Sequence, residues 1–348
     1  MTDVADDATA PVGTASAATS TQVAPAVDRA PARPAAGAPV GRRGSGSAAR
    51  KRLEIAVFVA PALLLFGFFV VWPIVKAVQF SFYRWKGYGP LVDFVGLRNY
   101  VKVLQNDVFI GALQHNLIIV VASIAIQLPL GLLVALMLNR RMRGQGALRT
   151  IIFVPYVLSE VIAGVVWVQL LQPQWGMIDT VLGWFGLHGP AQGFLATPEY
   201  ALPTVIVVLT WKYLGLAILL FLAGLQSVPE ELYEAAQLDG ASWWQVQRKV
   251  TIPLLGPTLR TWAFLSMIGS LQLFDMVWIL TGGGPANATE TMATFLVKEG
   301  TKRSNYGIAS AASVILFVVA LVLALLYQYF ILRRDNTAAT VVGKKAKR

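Results

Sequence analysis

Apolar residues are grouped along this chain in long continuous blocks, not in stripes that alternate with polar positions. Residues 55–75 carry no formal charge, and five further blocks of the same kind follow. A helix needs about 20 apolar residues to cross a bilayer. The blocks predict spans at about 55–80, 116–138, 151–171, 201–224, 259–280 and 306–332. The period-two alternation of a barrel wall is missing, which excludes strands. The pattern therefore predicts an all-α membrane protein with six transmembrane helices. Two connecting segments stand out. The stretch WGMIDTVLGWFGL, bracketed by Pro173 and Gly189, is apolar but too short to span, and predicts an interfacial helix. TGGGPANATET, residues 281–291, follows the fifth block directly.

Composition narrows the chemistry. Only 14% of the 348 residues are charged, against about 25% in an ordinary soluble domain. Cysteine is absent and His115 and His188 are far apart in sequence, so no metal site and no thiol chemistry are expected. Residues 1–50 hold no Leu, Ile, Phe, Tyr or Trp. Such a segment buries too little apolar surface to offset its conformational entropy, and a disordered cytoplasmic tail over 1–52 is expected. With no apolar core before Leu53, it does not read as a cleavable signal peptide.

The net charge of +11 raises the question of nucleic acid, but its distribution follows the membrane pattern. If both termini are cytoplasmic, 20 of the 29 Lys and Arg fall in inner segments and 7 in outer ones. Arg50-Lys51-Arg52, Arg140-Arg141-Met142-Arg143 and Arg333-Arg334 all abut block ends on the inner side. A multi-pass plasma (inner) membrane protein with both termini inside is the expectation, with the lipid bilayer as a partner and no nucleic acid.

The inner loop between the fourth and fifth blocks reads SVPEELYEAAQLDGASWWQVQRKVTIPLLGP, residues 227–257. Ser227 with Glu230 predicts a capping box, Pro229 suits a first helical turn, and Gly240 is placed to end the helix. Glu230, Glu231, Glu234 and Asp239 precede the first base, Arg248. Ala235 and Ala236 keep one face shallow. These features suit a solvated loop helix as well as a docking element for a basic groove.

The run EAAQLDGA followed by VTIPLLGP closely resembles the EAA signature of ABC-importer permeases. Glu234, Ala235, Ala236 and Gly240 match that motif; Val250 and Ile252 replace its Ile and Leu, Pro253 is kept, and Gln247 stands where Phe is frequent. FVGLRNY (94–100), QHNL (114–117), LAGLQSVPEELYEAA (222–236) and FDMVWILTGGGP (274–285) extend the resemblance over about residues 56–334, toward the carbohydrate, maltose-transporter-like branch.

The resemblance implies a type I ABC-importer permease fold with a cytoplasmic coupling helix. Its coupling residues would be Glu234, Ala235, Ala236, Asp239, Gly240 and Pro253. The membrane domain would cover 113–330, preceded by a first helix and outer loop over 53–112 and followed by a basic cytoplasmic tail over 331–348. It also implies a second permease subunit, an ATPase dimer and an extracytoplasmic sugar-binding protein. The chain holds no GxxxxGK[ST] run, so ATP and magnesium belong on the ATPase partners.

Glu160, Lys212 and Asp275 lie inside predicted spans, where each charge costs about 2.5–3.5 kcal/mol on insertion scales. Glu160 and Lys212 share a depth and carry opposite signs, so they are expected to approach one another. All three, with Trp211 as a stacking surface, are substrate-path candidates, and Trp167 and Trp278 suit an interfacial aromatic belt. An ion-coupled carrier would not need the EAA loop, and a membrane-embedded enzyme would need clustered catalytic side chains. Amino acids or phosphate remain open beside sugars as the solute.

Overall fold

The computed structural model describes residues 46–139 and 143–332. Most of the N-terminal tail, Arg140 and Arg141 of the basic turn, and the tail with Arg333-Arg334 lie outside these residues. In chain order the helices are α1 (Arg50–Ser81), α2 (Arg98–Leu104), α3 (Asp107–Leu138), α4 (Gln145–Val157), α5 (Glu160–Leu170), α6 (Met177–Trp184) and α7 (Pro198–Gln226). They continue with α8 (Glu230–Leu238), α9 (Trp243–Val246), α10 (Gly256–Leu271), α11 (Asp275–Leu280), α12 (Met292–Val297) and α13 (Tyr306–Ile331). The chain divides into two units, Met1–Pro61 and Ala62–Arg348. In the first, Arg50 and Glu54 pair at 3.2 Å on the opening turns of α1.

Four helices, α1, α3, α7 and α13, are long and apolar enough to cross a membrane. They match the first, second, fourth and sixth predicted blocks, with α3 starting nine residues earlier than the 116 expected because Asn106 caps it. Its side chain accepts from the backbone N–H of Val108 and Phe109 at 3.0 and 3.3 Å.

The third block is not one straight helix. α4 and α5 meet at 98° across Leu158 and Ser159. Pro155 weakens the end of α4, and Ser159 starts a new helix by accepting from Ile162 N–H at 3.3 Å. The fifth block breaks as well. α10 ends at Leu271, residues 272–274 are not helical, and α11 begins at Asp275.

Both breaks expose backbone groups that lipid cannot satisfy, and both are repaired from within the chain. At the second, Asn116 Nδ2 donates to the carbonyls of Ser270 (2.7 Å) and Leu271 (3.3 Å) while its Oδ1 accepts from Met292 N–H at 2.9 Å. Thr291 Oγ1 donates to Leu273 O at 2.9 Å. Asn116 is fully buried, so one amide ties α3 to the end of α10 and the start of α12.

The core is organised along α3 and α7. Near one end Leu132, Ala135 and Leu138 pack with Ala217, Phe221, Leu225 and Trp262; near the other Ile119 packs with Val205, Val208, Met276 and Val277. Small residues set the spacing. A Cβ on Gly131 would sit 3.0 Å from Ala217 Cβ, and one on Gly215 would sit 2.6 Å from the Ile152 carbonyl oxygen. The segment expected to form a short helix does so as α6, and its Asp179 carboxylate accepts from the N–H groups of Gln174 (3.1 Å) and Gly189 (3.3 Å), tying both flanks of the segment.

Candidate functional site

The bend between α4 and α5 gathers the two charges picked out in the sequence. Lys212, on α7, is only 2% exposed. Its ammonium donates to the carbonyls of Pro155 and Tyr156, both at 3.1 Å, and to that of Leu158. These are carbonyls freed where α4 ends, and three acceptors use all three ammonium protons. Glu160 opens α5 on the other side of the bend. A cation at a helix C-terminus and an anion at an N-terminus both complement the backbone dipoles. The two charges lie 3.9 Å apart, and the Glu160 Oε1 accepts a closer hydrogen bond, 2.8 Å, from the Tyr213 hydroxyl. Glu160 and Lys212 therefore approach, but Lys212 is satisfied chiefly by backbone.

Tyr213, its hydroxyl held by Glu160, also lines a cavity of about 130 Å³ between α3, α7 and α10. Its wall includes Ser123, Gln127, Tyr213, Trp262, Ser266 and Ser270. Gln127 and Trp262 are 1% and 2% exposed, yet Gln127 Nε2 and Trp262 Nε1 have no hydrogen-bond partner. An unmade hydrogen bond on a buried donor costs about 1–3 kcal/mol. The two donors lie just behind a wall that carries three serine hydroxyls among leucines and no formal charge. Sequence reading missed Gln127 and Tyr213; an amide at the centre of the second block was the available signal.

The other path candidates lie apart from this cavity. Trp211 is half-buried and packs edge-on against Trp167 with ring centroids 5.4 Å apart. Trp167 is thus held by a neighbouring ring. Trp278 stacks on Phe274, and the Lys302 ammonium lies 4.9 Å from its ring. Asp275 is exposed in the first turn of α11.

The glycine-rich segment after α11 folds over a buried carboxylate. Gly282 and Gly283 take positive φ, and a Cβ on Gly283 would collide with Glu290 Oε2. Glu290 is fully buried, pairs with Lys298, and its backbone carbonyl meets His115 Nδ1 at 2.9 Å. The space under these glycines is thus filled by the chain's own carboxylate.

In the loop after α7, Ser227 does not cap the next helix. It ends α7, donating to Gly224 O at 2.7 Å, and α8 starts behind Pro229 without a side-chain cap. The expected capping box is instead formed one helix later by Ser242 and Gln245 on α9. Gly240, at φ +72, follows the end of α8, with Ala241 N–H returning to Ala236 O at 3.0 Å. Glu234, Ala235, Asp239, Gly240 and Pro253 are exposed, and Ala236 is half-buried. Gln247 is buried within the chain.

Comparison with known proteins identifies the family. Residues 127–336 match the family described as "Binding-protein-dependent transport system inner membrane component". The chain is 34% identical over 271 residues to the trehalose/maltose transport system permease protein MalF of Thermococcus litoralis, covering 78% of this chain and 91% of that protein. It is 34% identical over 283 residues to the lactose transport system permease protein LacF of Rhizobium radiobacter, covering 80% and 94%. The solved bacterial alginate ABC transporter, in complex with its alginate pentasaccharide-bound periplasmic protein, contains a chain that superposes with a TM-score of 0.72 at 28% identity, covering 82% of this chain and 96% of that one. The chain belongs to the inner membrane component family of binding-protein-dependent transport systems.

Proposed function

We propose that this chain is the permease subunit of an ATP-driven sugar importer and forms half of its translocation path. The observation that carries the reading is the uncharged cavity with two unpartnered buried N–H donors, Gln127 Nε2 and Trp262 Nε1. Both donors are covered in this conformation, and a sugar would offer hydroxyl oxygens to them once the helices around the cavity part. An amino acid or phosphate would bring formal charge into a wall that has none. The relatives named for trehalose, maltose and lactose agree with this choice.

In this reading the chain crosses the membrane six times, the bent pair α4–α5 and the broken pair α10–α11 each making one crossing. Both termini lie in the cytoplasm, from the 20-to-7 distribution of basic residues. The membrane domain covers 113–330. Glu160 and Lys212 shape the bend that supports Tyr213, while Asp275 and Trp211 flank the path away from the cavity.

α8 is the coupling helix. Its exposed Glu230, Glu231 and Glu234 present negative charge, and Ala235 with Ala236 allows close approach of a partner backbone. ATP and magnesium act on a separate ATPase dimer. Closure of that dimer pushes on the 227–257 loop, and with a second permease subunit the helices move between inward-open and outward-open states. A sugar-binding protein delivers solute from outside. The chain itself performs no catalysis.

The test is uptake by the complete transporter reconstituted in vesicles, with labelled disaccharides, amino acids and phosphate offered in parallel. ATP-dependent sugar uptake that falls at least tenfold in Gln127→Leu supports the reading. Uptake of an amino acid or phosphate, with none of any sugar, overturns it.

A further inference from the structure

A groove of about 380 Å³ runs between α4 and α7, apart from the cavity described above. It lies at the end of the membrane domain where α3 and α7 finish and α4 begins. Its wall is apolar along Ile152, Phe153, Leu219, Leu222 and Ala223, and Arg149 also lines it, beside Thr150. Arg149 is half-buried, and its Nε is buried without a hydrogen-bond partner. Its Nη2 reaches Leu138 O only at 3.5 Å, a carbonyl already taken by the Gln145 amide. The guanidinium thus keeps unspent donors against an apolar channel, and exposed Arg143 adds a second positive charge just before α4.

We propose that this groove binds an anionic phospholipid, its phosphate on Arg149 and one acyl chain along α4 and α7. Depth agrees with this occupant. Arg149 is four residues into α4, or about 6 Å along the axis, and where α4 enters the membrane at its first turn, as in the proposed six-span topology, it stands at headgroup level with Ile152 and Phe153 deeper. Guanidinium is the side chain best matched to phosphate geometry, and basic pockets between helices near the membrane surface take acidic headgroups. A free phosphate would use Arg149 but leave the apolar wall bare, which favours the lipid. The proposal rests on α4 being part of a span, as proposed above, and not on which side of the membrane is cytoplasmic.

The test is native mass spectrometry of the assembled transporter titrated with phosphatidylglycerol or phosphatidylcholine of equal chain length. One basic contact near the surface contributes enough for about fivefold preference for the anionic lipid. Wild type should show that preference, and Arg149→Gln should lose it. Ala223→Phe, which keeps the charge but fills the groove, should lower retention of both lipids. If Arg149→Gln does not assemble, Arg149→Lys and Ala223→Phe carry the comparison. Equal retention in wild type and the variants overturns the proposal, as does displacement of the lipid by millimolar inorganic phosphate. Cross-linking of Ala223→Cys to the second permease subunit would show a protein occupant and also overturn it. The readout is lipid mass, so it stands or falls separately from the sugar reading.

Discussion

The Lys212 ammonium lies 3.9 Å from the Glu160 carboxylate but 3.1 Å from the carbonyls of Pro155 and Tyr156, so the residue serves the bend first and its counter-ion second. This changes what a charge swap should do. A simple ion pair would be restored by exchanging the partners. Here Glu160→Lys with Lys212→Glu would point a carboxylate at three carbonyls in the membrane interior, and the double variant should be no better assembled than Lys212→Met. Lys212→Met should cost about 3–5 kcal/mol, the range for stranding buried polar partners. Glu160→Gln keeps an acceptor for Tyr213 and should cost about 1 kcal/mol. Thermal unfolding of the assembled complex measures all three, and recovery in the swapped variant would sink this account of the bend.

Gly215 sets how closely α4 approaches α7. A methyl group there would meet the Ile152 carbonyl oxygen at 2.6 Å, and backbone cannot step aside as a side chain can. Gly215→Ala should therefore cost about 1–3 kcal/mol despite its better helix propensity. Gly269, where a methyl group would meet nothing within 4 Å, is the control: Gly269→Ala should leave the melting temperature unchanged or raise it. Equal behaviour of the two variants would remove the close-approach argument.

Four of the six expected spans are legible in the sequence as single long helices, because lipid imposes one requirement, continuous apolar length, that sequence displays directly. The interruptions are not, since Pro155 and Ser159 inside a 21-residue apolar block read as tolerated positions until the bend between α4 and α5 is seen. Glu160 and Lys212 can be paired from depth and sign. The carbonyls that hold Lys212 cannot, because backbone acceptors carry no side-chain signature. The capping box expected at Ser227 belongs at Ser242, two serines in similar local contexts that only the end of α7 distinguishes. Gln127 is visible as an amide in the second block, but only its packing beside Tyr213 and Trp262 gives it a role.

Coupling should depend on the charge of α8 and not on its packing, because Glu234 is exposed. Glu234→Lys should leave the isolated subunit as stable as wild type, since surface substitutions shift stability by about 0.5 kcal/mol or less. In the complete transporter it should abolish solute-stimulated ATP hydrolysis by placing like charge against a basic ATPase groove. Stimulation and uptake at wild-type level in this variant would refute the coupling assignment.

Glu290 offers a contrasting case, a charge with no exposure at all. Its carboxylate fills the space under Gly283 and pairs with Lys298. Gly283→Ala meets both the positive φ of +85 and a collision with Glu290 Oε2, and should disorder the 281–291 segment. Glu290→Gln keeps the shape and loses the charge, leaving Lys298 without its partner. Protease sensitivity of this segment should rank Gly283→Ala above Glu290→Gln above wild type. A protected segment in Gly283→Ala would show that the buried carboxylate is not what orders it.

Gln127 provides the clearest separation of transport from stability. Its Nε2 is buried with no acceptor, so the folded protein carries a cost of about 1–3 kcal/mol at that atom. Gln127→Leu removes the donor at similar volume. The variant should melt at or above the wild-type temperature, because nothing satisfied is lost and an unmet requirement is removed. If the donor exists to meet a solute hydroxyl, transport should move the other way, with apparent affinity for sugar weakened about tenfold or more, the loss expected for one hydrogen bond of about 1.4 kcal/mol. Trp262→Phe tests the second donor with the aromatic face kept, and should weaken affinity without a fall in assembly. The two readouts together exclude the plain structural reading, in which both stability and uptake drop in step. Unchanged affinity in both variants would leave the cavity without a part in solute recognition.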